Sequence, residues 1–225
     1  MQKTIVITGA SRGIGYAIAL QAAGEGHQVF ALSRDLTSLQ KTKGIVPIAV
    51  DLTDPIDLAS CVEKIKQTSP SVDVLINNAG TLVNRPFLET TLADFQNTFA
   101  VNVFAVAALT QALLPIINPK GHIVNISSMG GVQGSAKFPG LAAYSSSKGA
   151  LITLTELLAE EYKQTGPAFN VLALGAVQTE MLAAAFPGYQ APVTAQKMGA
   201  YILNFALEGH HLYNGKILPV ALSTP

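Results

Sequence analysis

Short apolar runs rich in β-branched residues alternate with longer segments of helical spacing along this 225-residue chain. Such alternation is typical of a parallel sheet, because parallel neighbours must be joined by a long crossover, usually a helix. Runs such as Val74-Leu75-Ile76 are apolar at consecutive positions, which indicates burial on both faces of the sheet. The pattern predicts an α/β fold with a Rossmann-type, doubly wound, seven-stranded parallel sheet and helices on both faces.

The seven strands are expected over Thr4–Thr8, Gln28–Leu32, Val46–Val50, Val72–Ile76, His122–Ser127, Asn170–Leu174 and Lys216–Val220. The helices are expected over Ile14–Gly24, Pro55–Thr68, Thr91–Ile117, Ala143–Gln164 and Thr194–Leu207. Glycine and proline fall between these elements, and no stretch has the composition of an interdomain linker. The length suits one large domain, so residues 1–225 are predicted to form a single domain.

The charge content bears on the partners of the chain. Formal net charge is zero and the sequence pI is about 6.9, which disfavours binding to nucleic acid or to an anionic membrane. Hydrophobic residues make up 49% and charged residues only 12%, so part of the surface is expected to meet another subunit. A homodimer or homotetramer is therefore expected, with Thr91–Ile117 and Ala143–Gln164 as its contact faces.

The most apolar long segment is Phe99–Ile117. It is interrupted by Asn102 and Pro115, which favours a core or interface helix over a membrane span. The first strand pattern starts too early for a secretory signal, so a cytoplasmic location is expected by default. One cysteine and four scattered histidines suggest no metal site.

A glycine-rich turn, Thr8-Gly9-Ala10-Ser11-Arg12-Gly13-Ile14-Gly15, lies between the first strand and the first helix. Glycines allow a tight turn and close approach of phosphate oxygens, and the N–H groups of the helix start attract a pyrophosphate. A turn of this kind can also be no more than a turn. Its position after the first strand nevertheless favours a dinucleotide site, because ligands of such sheets bind beyond the carboxyl ends of the strands.

This turn resembles the cofactor fingerprint of the short-chain dehydrogenase/reductase family. Further motifs of that family recur in order, namely Asn77-Asn78-Ala79-Gly80, Asn102, Ser128 and Tyr144-Ser-Ser-Ser-Lys148, and the similarity runs from Lys3 to about Val220. The resemblance implies an oxidoreductase that moves hydride between a nicotinamide cofactor and a small carbonyl or alcohol substrate. The cofactor contacts it implies are Gly9, Ser11, Arg12, Gly13, Ile14, Gly15, Ser33, Arg34, Asp51, Leu52, Asn78, Ala79, Gly80, Tyr144, Lys148, Gly175, Val177 and Thr179.

The end of the second strand bears on the choice of dinucleotide. NAD-binding relatives place an acidic residue there, whereas a 2′-phosphate needs positive charge. This chain has Ser33-Arg34, and Arg12 could add a second cation, so NADP(H) is favoured. NAD(H) stays possible, because the Asp35 carboxylate could select it in a shifted register. Asp51 is either an adenine contact or a turn residue.

Tyr144 and Lys148 are four residues apart in a helical segment and therefore share one helix face. A nearby ammonium lowers the pKa of a phenol, so Lys148 is expected to make Tyr144 a usable general acid and base. Family resemblance implies that Lys148 also binds the nicotinamide ribose, that Ser128 binds the substrate oxygen, and that Asn102 holds a water linked to Lys148. Ser127 is the alternative to Ser128.

Three departures from the family pattern accompany these motifs. The interval from Ser128 to Tyr144 is longer than usual, Leu174-Gly175 stands where relatives carry Pro-Gly, and the substrate lid, Glu180–Val193, is short. Two other functions stay open. The chain could be a dinucleotide-sensing protein with little turnover, or an epimerase or dehydratase that uses the same motifs.

Overall fold

The computed structural model describes residues 1–39 and 42–222. Its strands are β1 Thr4–Thr8, β2 Gln28–Ser33, β3 Ile45–Ala49, β4 Val72–Asn77, β5 Ile117–Ser128, β6 Ala168–Leu174, β7 Val177–Gln178, β8 Val193–Thr194 and β9 Ile217–Val220. Seven of them form one parallel sheet in the order β3-β2-β1-β4-β5-β6-β9. The order reverses between β1 and β4, so the predicted doubly wound parallel sheet is confirmed.

Helices cover both faces of the sheet. They are α1 Gly13–Gly24, α2 Pro55–Thr68, α3 Leu92–Phe99, α4 Ala105–Leu113, α5 Ala142–Glu161, α6 Glu180–Ala185 and α7 Ala195–Glu208. Consecutive strand residues serve opposite cores: Ile5 packs with α1 and α7 on one face, and Val6 packs with α2 and α4 on the other. This two-sided burial is the reason for the unbroken apolar runs in the strands.

The predicted helix Thr91–Ile117 is not one continuous α-helix. A π-helical turn, Ala100–Phe104, separates α3 from α4, and a 3-10 turn that contains Pro115 ends the segment. The strand β5 then begins at Ile117, earlier than the predicted start at His122, because Ile117 pairs with Val72 across an irregularity in β4. Periodicity could not show this, since the sequence between the two pairing points is polar.

The segment after β6 carries three elements absent from the sequence prediction, β7, α6 and β8. The strands β7 and β8 pair in parallel as a separate two-stranded sheet, with α6 between them. Each strand has only two residues, too few for a periodic signal. Together they bring the lid segment back to the carboxyl edge of the main sheet.

By length and composition, the helical stretch Leu92–Ile116 could cross a membrane, with a mean hydropathy of 1.9 in its most apolar window. Core helices of globular proteins pass the same test. Here one side of the stretch packs against the sheet through Leu109 and Leu113, while Phe104 is 62% exposed on another side.

Candidate active site

The glycine-rich turn has the shape that an anionic ligand requires. Gly9 and Gly13 have φ values of +66° and +57°, in the left-handed region that favours glycine. A Cβ at Gly15 would lie 2.4 Å from the Gly9 carbonyl oxygen, so only glycine fits there. The N-cap residue Arg12 makes no side-chain cap, and the first turn of α1 carries no acidic residue. The amide groups of that turn therefore suit the pyrophosphate of a dinucleotide.

A buried threonine ties the glycine turn to the end of β4. The Thr8 hydroxyl oxygen accepts hydrogen bonds from the N–H groups of Asn78 at 3.0 Å and Ala79 at 2.9 Å. In return, Asn78 Nδ2 donates to the carbonyl oxygens of Thr8 at 3.0 Å and Gly9 at 3.3 Å. Thr8 opens the glycine-rich turn quoted from the sequence, but this bridging role was not predicted, although a polar last residue on a buried strand was a usable signal.

The adenosine side of the turn holds the residues that bear on a 2′-phosphate. Ser33 Oγ donates to Ser11 Oγ at 2.8 Å, and the Arg34 side chain beside it is exposed. Asp35 Oδ1 accepts from the Thr37 N–H at 2.9 Å and the Thr37 hydroxyl at 2.6 Å. These two bonds, the hydroxyl first, lower the pKa of Asp35. That oxygen of Asp35 is thus engaged in its own turn.

Asp51, beyond β3, uses one carboxylate oxygen within its own turn. Its Oδ1 accepts from the Thr53 N–H at 2.9 Å and from the Thr53 hydroxyl at 2.7 Å. These bonds are the main reason why the pKa of Asp51 is lowered, and the charge of Arg34 contributes to the same direction. Arg34 and Asp51 therefore lie at the same edge of the sheet, with Leu52 packed against the core beside them.

Ser128, Tyr144 and Lys148 come together where β5 ends and α5 begins. The Tyr144 hydroxyl is hydrogen-bonded to Ser128, and Lys148 Nζ lies 5.8 Å from the centre of the Tyr144 ring. Tyr144 and Lys148 thus share one helix face. Ser127 Oγ instead donates to the Lys148 carbonyl oxygen at 2.9 Å, so Ser127 faces α5 and Ser128 faces Tyr144.

The protonation of this group differs from the expectation. Burial raises the pKa of Tyr144, and the hydrogen bond from Ser128 opposes that rise. Burial also lowers the pKa of Lys148 to about 8. The expected lowering by Lys148 does not dominate, because the phenol is desolvated and Lys148 Nζ donates to the Ile126 carbonyl oxygen at 2.8 Å. Tyr144 is therefore a protonated phenol at neutral pH in this structure.

Asn102 lies fully buried in the π-helical turn, and its amide is engaged by protein groups. Its Oδ1 accepts from the Thr81 N–H at 2.8 Å, and its Nδ2 donates to the Thr81 carbonyl oxygen at 3.0 Å and to Ser147 Oγ at 2.9 Å. A Cβ at Gly80 would lie 3.4 Å from Asn102 Oδ1 and 3.5 Å from Lys148 Nζ. Asn102 therefore joins the segment after β4 to α5. Neither Thr81 nor Ser147 was singled out from the sequence.

The residues after β6 face the glycine turn. Gly175 N donates to the Val220 carbonyl oxygen at 3.0 Å, Val177 is buried, and Thr179 caps α6 by accepting from the Leu182 N–H at 3.2 Å. A Cβ at Gly13 would lie 3.5 Å from the Thr179 side chain. A cleft of about 820 Å³ opens here. Its walls include Ser11, Arg12, Gly13, Tyr16, Gln178, Thr179 and Glu180.

Hydrogen bonds join three segments, namely the one after β4, the end of α6 and the long loop before α5. Asn84 Nδ2 donates to the Ala185 carbonyl oxygen at 2.8 Å, which joins the segment after β4 to the end of α6. Arg85 N donates to the Gly140 carbonyl oxygen at 2.9 Å, which joins the same segment to the long loop before α5. The short lid and the long loop thus both contact the segment that contains Asn84 and Arg85.

Comparison with known proteins gives a family and several relatives. Residues 3–190 match the sequence profile of the family described as short chain dehydrogenase. The NADPH-dependent pterin aldehyde reductase of Arabidopsis thaliana is 35% identical over 217 residues, which are 90% of this chain and 88% of that protein. This chain covers only 64% of another curated relative, the short-chain dehydrogenase cctT of Talaromyces islandicus, so some relatives are longer.

Solved structures agree on the fold. A short chain dehydrogenase from Burkholderia cenocepacia in complex with NADP has a TM-score of 0.86 and 26% identity, covering 98% of this chain and 96% of that one. A 4-hydroxyisoleucine dehydrogenase mutant complexed with NADH and succinate has a TM-score of 0.87 and 25% identity, covering 97% of both chains. Proteins similar to this chain therefore include both NADP and NADH complexes.

Proposed function

Because the chain belongs to the short-chain dehydrogenase/reductase family, we propose that it is an NADP(H)-dependent oxidoreductase that moves hydride between the nicotinamide and a carbonyl or alcohol substrate. The bound nicotinamide would supply the hydride, and the protein supplies binding, orientation and the proton. The observation that carries this proposal is the convergence of Ser128, Tyr144 and Lys148 at the carboxyl end of β5.

In the direction of carbonyl reduction, Tyr144 donates its phenolic proton to the substrate oxygen. Ser128, already hydrogen-bonded to Tyr144, stabilises the charge that develops on that oxygen. The raised pKa of Tyr144 keeps the phenol protonated at neutral pH, so the proton is present when hydride reaches the carbonyl carbon. Lys148, with a pKa of about 8, is mostly an ammonium at neutral pH and favours the phenolate left behind.

The preference for NADP(H) is supported by the groups beyond β2. Arg34 is exposed, and its neighbour Ser33 is hydrogen-bonded to Ser11, which precedes Arg12, so both arginines could meet a 2′-phosphate. The carboxylate of Asp35 is engaged by Thr37, which disfavours the ribose contact that NAD would need. NAD(H) is the alternative cofactor, because one neighbour in structure carries NADH.

The substrate is proposed to be a small carbonyl compound or the corresponding alcohol, with an apolar part. The short lid segment carries partly exposed apolar side chains, such as Met181 on α6 and Phe186 just after it, which could contact that apolar part. We also propose a homo-oligomer. Phe104, just before α4, and Leu157, on α5, are 62% and 61% exposed. Large apolar side chains are unfavourable in water, and a contact with a second subunit would bury them.

The test is a panel of aldehydes, ketones, quinones and acyl-thioesters, with oxidation of NADPH followed by absorbance. Tyr144→Phe should lower turnover by about 10²- to 10⁴-fold while NADPH still binds. Tyr162→Phe, which removes a hydroxyl just after α5, is the matched control and should keep full turnover. A folded Tyr144→Phe protein with wild-type turnover would contradict the proposal. A wild-type protein that binds NADPH and reduces no compound would favour a dinucleotide-sensing role.

A further inference from the structure

We propose that Ser127 is a positioning residue, whose buried hydroxyl fixes the backbone of Lys148 and thereby the place of its ammonium beside Tyr144. The inference rests on the proposed function, because it gives Ser127 a part in the reaction only if Lys148 acts on Tyr144. It differs from the alternative considered from the sequence, in which Ser127 would touch the substrate itself.

The contact is specific and well shielded. Ser127 is 2% exposed, and its Oγ donates to the Lys148 carbonyl oxygen at 2.9 Å. That carbonyl is also the regular acceptor for the amide four residues later in α5, so the Ser127 bond is additional to the helix pattern. Ser127 itself sits in the middle of the sheet, paired with Ala173 of β6. A fixed strand therefore holds the catalytic helix at the residue that carries the ammonium.

The approach of the two elements is built by glycines. A Cβ at Gly131 would lie 2.7 Å from the Lys148 carbonyl carbon and 2.8 Å from the Gly149 nitrogen. A Cβ at Gly149 would lie 3.3 Å from the Gly131 carbonyl oxygen. Gly131 lies in the 3-10 turn that follows β5, so any side chain there would push α5 away from that turn and from the end of β5. The short serine side chain reaches the helix because these two positions carry none.

The same strand also holds the other end of Lys148. Lys148 Nζ donates to the carbonyl oxygen of Ile126 at 2.8 Å, next to Ser127 in the chain. On the Tyr144 side, Ser147 Oγ donates to the Tyr144 carbonyl oxygen at 2.7 Å and is itself held by Asn102. The two catalytic residues thus have separate backbone anchors. Loss of the Ser127 anchor would let Lys148 shift relative to Tyr144 without releasing Tyr144.

The effect of Lys148 on Tyr144 can be measured without a known substrate. The near-ultraviolet absorbance of Tyr144 in the NADP⁺-saturated protein is followed with pH as the neighbouring Lys148, whose pKa is about 8, loses its proton, and the curve of the matching Tyr144→Phe variant is subtracted to isolate Tyr144. Ser127→Ala should raise the midpoint of this titration by about half a pH unit or more, because burial lowers the pKa of Lys148 and a displaced ammonium is desolvated less. Ser127→Thr, which keeps the hydroxyl, should restore the wild-type midpoint.

Two further variants keep the test decisive. Thr153→Ala removes another hydroxyl of α5, one that points to the Gly149 carbonyl oxygen from an exposed position, and should leave the midpoint unchanged. If Ser127→Ala does not fold, Ser127→Cys keeps the volume with a weaker donor and should give an intermediate rise.

A wild-type midpoint in folded Ser127→Ala or Ser127→Cys, with only a lower melting temperature, would overturn the positioning role and leave the proposed function intact. Wild-type turnover in Tyr144→Phe would instead refute the proposed function, and the inference with it.

Discussion

Protonation of His122 should destabilise the fold below neutral pH. His122 lies in the middle of β5 and is fully buried. Asn170 Nδ2 meets its Nε2 at 2.9 Å, so Nε2 is the acceptor and the ring carries its proton on Nδ1. That Nδ1 donates to the Ala206 carbonyl oxygen at 3.0 Å. A second proton, on Nε2, would face the amide hydrogens of Asn170.

The magnitude follows from the pKa. Burial, together with the nearby His210 and His211, lowers the pKa of His122 from 6.5 to about 4, although the bond to Ala206 opposes the shift. The folded value lies below the unfolded value, so the unfolded chain takes up the proton first as pH falls. The stability that the neutral His122 contributes is complete above pH 6.5 and is lost progressively between pH 6.5 and about pH 4. At 1.36 kcal/mol per unit, the loss reaches about 3 kcal/mol.

The assay is urea unfolding at pH 7.5 and at pH 4.5, for the wild type and for His122→Gln. The variant should be less stable at pH 7.5, because it leaves the Asn170 and Ala206 groups poorly matched. Between pH 7.5 and pH 4.5, the fall in the free energy of unfolding should be smaller for the variant than for the wild type. The difference between the two falls should be about 2 to 3 kcal/mol, since glutamine does not titrate. His211→Gln, at an exposed position, removes only the smallest cause of the shift, so this control should keep most of the pH dependence of the wild type.

Other groups also titrate between these pH values. Their contribution is the same in the wild type and in His122→Gln, so it cancels when the two proteins are compared. The result that would refute the reasoning is an equal loss of unfolding free energy in the wild type and in His122→Gln. Such a result would mean that His122 gains a proton in the folded protein as easily as in the unfolded chain.

Three further predictions concern the cofactor and the assembly. Arg34→Ala should weaken NADPH roughly tenfold or more and NADH little, as measured by fluorescence titration; equal losses would contradict the 2′-phosphate assignment. Gly15→Ala should lower the free energy of unfolding by about 1–3 kcal/mol in urea melts and weaken the binding of both dinucleotides. The reason is that its Cβ would collide with the Gly9 carbonyl oxygen and the Asn78 amide, and wild-type values would contradict this account of the turn. Phe104→Asp should shift the protein towards the monomer in sedimentation, and a wild-type protein that is already monomeric at micromolar concentration would rule out the oligomer.

The order of elements and the position of the motifs were readable from local patterns. Each strand needs apolar residues on both faces, and each crossover needs helical spacing, so both leave a signal in the chain itself. The Gly9, Gly13 and Gly15 spacing could be assigned for a similar reason, since a left-handed or crowded backbone position accepts little else.

Ends of elements were less readable. The early start of β5 at Ile117 depends on pairing with β4, and the π-helical turn around Asn102 depends on the partners of that amide. Both are contacts between residues far apart in sequence. No window along the chain contains them.

The sequence by itself determined which residue types stand at the ends of the strands, and from them the family. Only the tertiary structure decided which groups each side chain contacts within the protein: Asp35 and Asp51 each accept through Oδ1 in their own turns, Ser127 faces the helix and Ser128 faces Tyr144. The direction of the pKa shift of Tyr144 was decided there too. A pKa depends on burial and on distances to other charges, and these exist only once the chain has folded.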